Sequence, residues 1–539
     1  MKNKLSFNIF VVIAMIVITT AGCQKGDLLS NPNAGSQNSV VPASLLLNHL
    51  TYGLAVGGGV TDGRAGAVNE MPWNLPGIWS QYHISNYQYY RGNNFYNWSN
   101  STTNYDMLKY ANLMQAQAIK SYGATPNVYS ALAKFFKAYC FIWLSQRVGD
   151  IPMSQAGDLA NLTPTYDSQH DVYKNSLALL DSANTLINNM GTVNANVVVN
   201  GDIYGLTNLQ WQKVINSYKL RVLISMSKRA TDNPDLMIPT QFATIFNNPS
   251  KYPVFTGNKD NVKFVYNAAF NPYPIFPGNQ PYNMYSNICK TYLDITTSTS
   301  DPRTFIAATP ALGRLKIPGN TVGSFSAYVG ADINLDLTTL SGLSSKDSLS
   351  FANYSRYYSS IAGANAEPYI VIGFPEMCFN VAEAINLGWV STANSSDWYY
   401  KGINASLSIY GLTQGQQLQI GDVAGIALGT VTVDVAGFLA NPAVIYQGDN
   451  SIGRAQILAQ KYVAFFENSG WEAFYNWRRT GIPNFSQGGI GIGTPGNRIP
   501  RRWQYPQDEV NYNGANVSKA ISTQFGGKDD LSQDTWLTK

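Results

Sequence analysis

From residue 127 to 148 the apolar residues Val128, Leu132, Phe135, Tyr139 and Ile142 recur at steps of four and three. That spacing lines one face of an α-helix. The same stripe returns over 207–230 with Trp211, Ile215, Tyr218, Val222 and Met226, and over 374–388 with Phe374, Cys378, Val381 and Ile385. Stretches 169–189, 398–410 and 453–467 read the same way. Pro126 suits an early helical position, and Gly388 suits the residue at which a helix ends. No window alternates apolar and polar residues long enough to predict a large sheet. The regular part is mainly α. Its helices have the length found in paired helical repeats, although no clean 34-residue period is present.

Between the stripes lie long stretches rich in Asn, Gly, Pro, Ser and Tyr, at 53–104, 250–300, 305–365 and 481–535. Loops of this length are functional or disordered, and disordered segments are poor in aromatic residues. These are rich in them, so the pattern predicts a helical scaffold carrying an ordered, irregular, aromatic-rich loop lobe.

Composition narrows the function. Of 539 residues, 45% are hydrophobic and only 13% charged, while 34 Tyr, 23 Phe and 11 Trp stand against 3 His. A net charge of +4 without a basic tract argues against a nucleic-acid partner that is held through phosphates. The N-terminus is more specific. Lys2 and Lys4 precede an unbroken apolar run from Ile9 to Ile18, too short to span a membrane and suited to a signal peptide. It ends in Thr20-Ala21-Gly22-Cys23, small residues before a cysteine as in a bacterial lipobox. The expected organisation is a lipoprotein signal peptide over 1–22, a polar tether over 23–39 beginning at the lipidated Cys23, and a single ligand-binding domain over 40–539. Cys140, Cys289 and Cys378 then remain. Their number is odd and their spacing is not that of a zinc site, so they read as core residues.

Most motifs carry no chemistry. Gly491-Ile492-Gly493-Thr494-Pro495-Gly496 fits a dinucleotide fingerprint by letter, but Pro495 and Pro500 forbid the helix it requires. Asp332, Asn334 and Asp336 begin a calcium loop whose glycine and closing carboxylate positions are both leucine. Glu467 with Glu472, or Asp508 with Glu509, offer carboxylate pairs for hydrolysis, yet each is as well explained by pairing with nearby Arg478, Arg479, Arg501 or Arg502. No nucleophile elbow or zinc-protease motif occurs. No catalytic residue, metal or cofactor is expected. The positive feature is the stretch 73–98, where aromatic rings alternate with amides and an arginine, chemistry that suits stacking on sugar rings or peptide side chains. Trp79, Tyr82, Tyr89, Tyr90 and Trp98 are the candidate stacking residues, with Gln81 and Arg91 for polar contacts. The stretch 270–285 repeats the chemistry, contributing Asn271, Tyr273 and Tyr282. The competing reading is that such rings pack the loop onto the helices.

Six segments, in order, carry a resemblance. They are Asp27-Leu28-Leu29 with Asn31-Pro32-Asn33; Trp211 through Asn216-Ser217, Lys219 and Arg221; Asp301-Pro302-Arg303; Pro375-Glu376 through Ala382-Glu383-Ala384 to Gly388-Trp389; Tyr400-Lys401-Gly402-Ile403; and Arg498-Ile499-Pro500-Arg501-Arg502 with Tyr505-Pro506, Glu509, Asn513 and Asn516. Together they resemble the SusD/RagB family of nutrient-binding outer-membrane lipoproteins, in its SusD-like branch, over residues 20–521. The resemblance implies tetratricopeptide-like helix pairs with an irregular ligand-binding lobe, and a protein that is not an enzyme. It implies a lid on a SusC-like TonB-dependent outer-membrane transporter, lipid-anchored and facing the cell exterior, that captures an oligosaccharide. A peptide ligand is the alternative, and a carbohydrate-active hydrolase a more remote one. The family motifs then read as turns, helix packing and buried polar links, not ligand sites.

Overall fold

The computed structural model describes residues 41–55, 72–87, 101, 105–158, 160–266, 284–357, 367–487 and 498–539. The first helices follow one another in space as they do in sequence. α1 (Ala43–Ala55) packs on α2 (Tyr105–Tyr122), α2 on α3 (Val128–Val148), α3 on α4 (Gln169–Asn189) and α4 on α5 (Asn208–Ser225), against which α6 (Ile238–Asn247) also leans. A further helix, α7 (Lys290–Ser298), precedes a second group made of α8 (Phe374–Asn386), α9 (Ser395–Ile409) and α10 (Ser451–Ala464), with α8 packed on both of its companions. α8 also packs on α5 and so joins the two groups. α11 (Glu472–Thr480) and α12 (Gly514–Phe525) complete the set used below. This is the mainly helical fold of helix pairs that the periodicity predicts.

Local chemistry sets the ends of these helices. Asn127 caps α3 by accepting from the Ser130 N–H, which places Pro126 outside the helix and not in its first turn. α5 opens on a capping box between Thr207 and Gln210. At the end of α8 the Trp389 N–H reaches the Ala384 carbonyl and the Gly388 N–H that of Ile385, with Gly388 at φ +77. Gly388 is thus the left-handed residue just past the cap, where a side chain would strain the backbone. α5 is buried nearly all round, as expected of a central helix.

The stretches expected to be irregular hold short helices as well: Leu75–Trp79, α7, Leu337–Ser345, Gln507–Tyr512 and α12. Lengths of 5 to 12 residues give too few repeats for a stripe to stand out, and tertiary packing stabilises them more than propensity does. Among the described residues there are three two-stranded antiparallel sheets and no larger one. β1 (His83–Ser85) pairs with β3 (Ser286–Ile288), β2 (Val262–Phe264) with β4 (Tyr369–Ile372), and β5 (Gln417–Gly421) with β6 (Ala427–Thr432).

The core contains the three cysteines, all free and buried, with thiols held protonated by that burial. In it and at its edges lie polar residues that carry the family resemblance. Arg221 donates to Glu376 (Nε to Oε1, 2.6 Å), and Arg479 to Glu383 (2.5 Å). Arg303 grips Asp301 two residues earlier, both side chains fully inaccessible. Near the C-terminus Arg501 meets Asp534, Arg502 meets Asp529, and Glu509 accepts from the Tyr166 hydroxyl. Asn513 and Asn516 donate to the carbonyls of Pro164 and Thr163. Apart from the Asp301–Arg303 pair, whose arginine reaches Ser406 (3.0 Å), these contacts tie distant segments together, and the buried polar groups among them are paired as they must be to be tolerated. Asp336, singled out as a calcium-loop oxygen, caps the helix Leu337–Ser345. The glycine-rich segment 491–496 lies outside the described residues.

Candidate functional site

The site is framed where the two aromatic stretches begin and end. Asn74 and Pro76 open the short helix Leu75–Trp79, whose Gly77 lies close against its neighbours. A Cβ there would come within 2.4 Å of His83 Nε2 and 2.6 Å of the Pro72 carbonyl, so only glycine fits. The chain then turns sharply through Gln81, at φ +55, and runs into β1. A left-handed glutamine is strained, and its amide is held on three sides. Nε2 donates to the Ser486 carbonyl (2.9 Å), while Oε1 accepts from Thr291 Oγ1 (2.8 Å) and the Ser486 N–H (3.1 Å).

Beyond β1 the pairing with β3 fixes what comes next. His83 lies opposite Ile288 and Ser85 opposite Ser286. The Asn86 N–H donates to the Tyr285 carbonyl (3.1 Å) and its amide to the Met284 carbonyl (3.0 Å) and Asn287 Oδ1 (2.8 Å). Tyr87 and Tyr285 close the pair with ring centroids 4.6 Å apart. Residues 83–87 of the first aromatic stretch therefore lie beside residues 284–288, where the second one ends, although some 200 residues separate them. Tyr87 (43% exposed) and Met284 (52%) face outward there.

Beneath this edge lies a packed aromatic platform, and three candidate ligand residues belong to it. Tyr82 is 2% exposed. It stacks on Tyr462 (4.5 Å, 16°), meets Tyr292 and Phe466 edge-on, and donates from its hydroxyl to the Tyr462 carbonyl (2.6 Å). The Tyr462 hydroxyl returns the link to the carbonyls of Ser80 and Gln81. Burial, with Tyr462 beside it, pushes the Tyr82 phenol well above its usual range, so it stays neutral. Trp79, 2% exposed, lies against Trp471 at 5.7 Å, and Gln81 is inaccessible. Trp79, Gln81 and Tyr82 are thus interior residues in this structure. Their rings and amide hold the loop down, because large aromatic side chains gain most when fully buried against others. Tyr89, Tyr90, Arg91, Trp98, Asn271, Tyr273 and Tyr282 lie outside the described residues, as does Cys23.

Sequence reasoning did not find the platform's far side. Tyr462 and Phe466 sit at the end of a helical stripe that reads as ordinary core, and Ser486 has no local signal at all. Three of the four carboxylates considered for hydrolysis have partners: Glu467 with buried His83 (3.1 Å), Glu472 with Arg221 (3.4 Å) and Glu509 with Tyr166 (2.9 Å), while Asp508 is exposed.

Residues 36–506 match the model of the SusD-like family described as starch-binding and associating with the outer membrane. No curated protein matches the chain in sequence. Among solved structures, a SusD homologue from Bacteroides fragilis is 27% identical, with a TM-score of 0.77 over 93% of this chain and 100% of its own. A second homologue from the same organism is 29% identical, with a TM-score of 0.73 over 93% and 99%. A chitin-binding SusD homologue from Flavobacterium johnsoniae shares the fold at 19% identity, with a TM-score of 0.65 over 91% and 99%. With its helix pairs, its buried motif residues and a family match over most of its length, the chain belongs to the SusD-like family of nutrient-binding outer-membrane proteins.

Proposed function

We propose that this protein captures oligosaccharides at the surface rooted on β1 and β3 and passes them, unaltered, to a SusC-like TonB-dependent transporter that it covers as a lid. The observation that carries the reading is the pairing of β1 with β3, which joins the two aromatic-and-amide stretches at one exposed edge. Tyr89, Tyr90, Trp98, Tyr273 and Tyr282 are proposed to stack on sugar rings there, with Arg91 and Asn271 bonding hydroxyls at their edges. The buried Trp79, Gln81 and Tyr82 support that surface from below. Cys23 is proposed to carry the lipid that anchors the chain at the outer membrane, facing outward. A pair of acyl chains anchors stably where one does not.

The experiment uses residues 24–539 with a panel of starch oligosaccharides, chitooligosaccharides and peptides, read by calorimetry and mass spectrometry. Chitooligosaccharides earn a place because a protein of this fold binds chitin. The expected result is saturable binding of a glycan with no new product. W98A should weaken that binding by about 1.5–3 kcal/mol, roughly 10- to 150-fold in Kd. Peptide binding alone would replace the glycan reading. A product that disappears when one carboxylate is mutated would overturn the binding role.

A further inference from the structure

Where α3, α5, α8, α10 and α11 converge, a cavity of about 70 Å3 is lined by an unequal set of charges. Five cations border it: Arg147, Arg221, Lys461, Arg478 and Arg479, each at least nine-tenths buried. Two carboxylates face them across the cavity, Glu376 and Glu472, and a third, Glu383, pairs with Arg479 from behind. Arg221 takes both Glu376 and Glu472. Arg147 lies over the rings of Trp143 and Trp503 and donates to the Tyr475 hydroxyl (3.0 Å), and Lys461 and Arg478 have no carboxylate in ion-pair range among the described residues.

Their contacts are with neutral groups. Lys461 Nζ donates to Asn380 Oδ1 (2.6 Å) and Asn476 Oδ1 (3.3 Å), leaving its third proton unassigned. Arg478 donates to the carbonyls of Gln146 and Arg501 (2.7 Å each), and its Nε has no acceptor. Buried cations without counter-charge are costly and their protons loosen. Lys461 is accordingly pushed down to about 8, and Arg478 to about 10, burial being the first cause in both. One water needs about 10–15 Å3 of such cavity space, so the cavity admits a particle of that size with room to spare.

We propose that this cavity binds a small monovalent inorganic anion, of the size of chloride, as the missing counter-charge for Lys461 and Arg478. The aromatic walls, Trp143, Tyr218 and Trp471 among them, would suit a weakly hydrated halide better than a divalent oxyanion. Bound there, the anion would clamp α10 and α11 to α3, and so would stabilise the fold without touching the surface on which a nutrient is captured.

Crystals grown with bromide in place of chloride test this directly. Anomalous scattering at the bromine edge should show a peak inside the cavity, within hydrogen-bonding reach of Lys461 or Arg478. A cavity holding only water-like density without anomalous signal would overturn the proposal. In solution, the melting temperature is compared in sodium chloride and sodium gluconate at one ionic strength. Chloride at 100-fold excess over its Kd should raise it by about 3 °C for a unit of this size. That difference should vanish in K461M, and R478M provides the same test if K461M does not fold. An equal chloride-minus-gluconate difference in the variant and the wild type would refute the site.

Discussion

Replacing Tyr82 by phenylalanine and by alanine separates a packing role from a ligand contact. The ring is buried among Tyr462, Tyr292 and Phe466, with one stacked and two edge-on contacts. Truncating a buried aromatic to alanine costs about 3–5 kcal/mol. Y82F keeps the ring and removes only the hydroxyl; the Tyr462 carbonyl still accepts from the Phe465 N–H, so the loss is one net hydrogen bond, about 0.5–1.5 kcal/mol. Unfolding entropy near 2.1 cal/mol/K per residue amounts to about 1 kcal/mol per degree for a unit of about 500 residues. Y82A should therefore melt about 3–5 °C below the wild type and Y82F about 0.5–1.5 °C below it, by scanning calorimetry. Both variants, titrated well below their melting temperatures with a glycan that the wild type binds, should keep its Kd within about twofold. A Y82F protein that melts like the wild type and binds tenfold more weakly would refute the reasoning, because the hydroxyl would then be spent on ligand and not on the core.

Three further outcomes are expected. D301N strips Arg303 of its fully buried counter-charge and should lower the melting temperature by about 3–5 °C, the scale of breaking one buried ion pair, with the D301L/R303M double variant recovering more than half of the loss; a D301N melt within 1 °C of the wild type would count against it. Asp150 is pushed up to about 6, mainly by burial, so it holds its proton more tightly folded than unfolded; it lowers stability at pH 7, and stability is regained as pH falls from about 6 toward 4. D150N, which can still accept from the Gln169 N–H, should melt higher than the wild type at pH 7 and alike at pH 4, and a constant offset across that range would sink the assignment. Cells fed a clickable fatty acid should label the full-length protein and not C23A, and equal label in both would end the lipoprotein reading.

The helical frame was legible because its information is local. A stripe such as Val128–Ile142 needs only the 3.6-residue period of one helix, and the ending at Gly388 needs only the six consecutive residues from Ala384 to Trp389. Helices as short as α7 were not legible, since nine residues hold too few periods. The motif residues were legible as a set, but what they do was not: nothing local to Arg221 announces Glu376, or local to Asn513 the carbonyl of Pro164.

The candidate surface divides the same way. Residue types alone mark 73–98 and 270–285 as chemistry for stacking, because aromatic rings alternating with amides are recognisable wherever they fold. They do not say which ring is turned outward. Tyr82 and Tyr87 are the same residue five positions apart in the same composition, yet one is in the core and the other 43% exposed. That difference was decided by Tyr462 and Phe466, which arrive from about 380 positions along the chain to stack beneath Tyr82, and by β3, which pairs with β1 and leaves Tyr87 at the rim. Burial depends on what the rest of the chain brings to a side chain. A sequence window holds the side chain and not its neighbours.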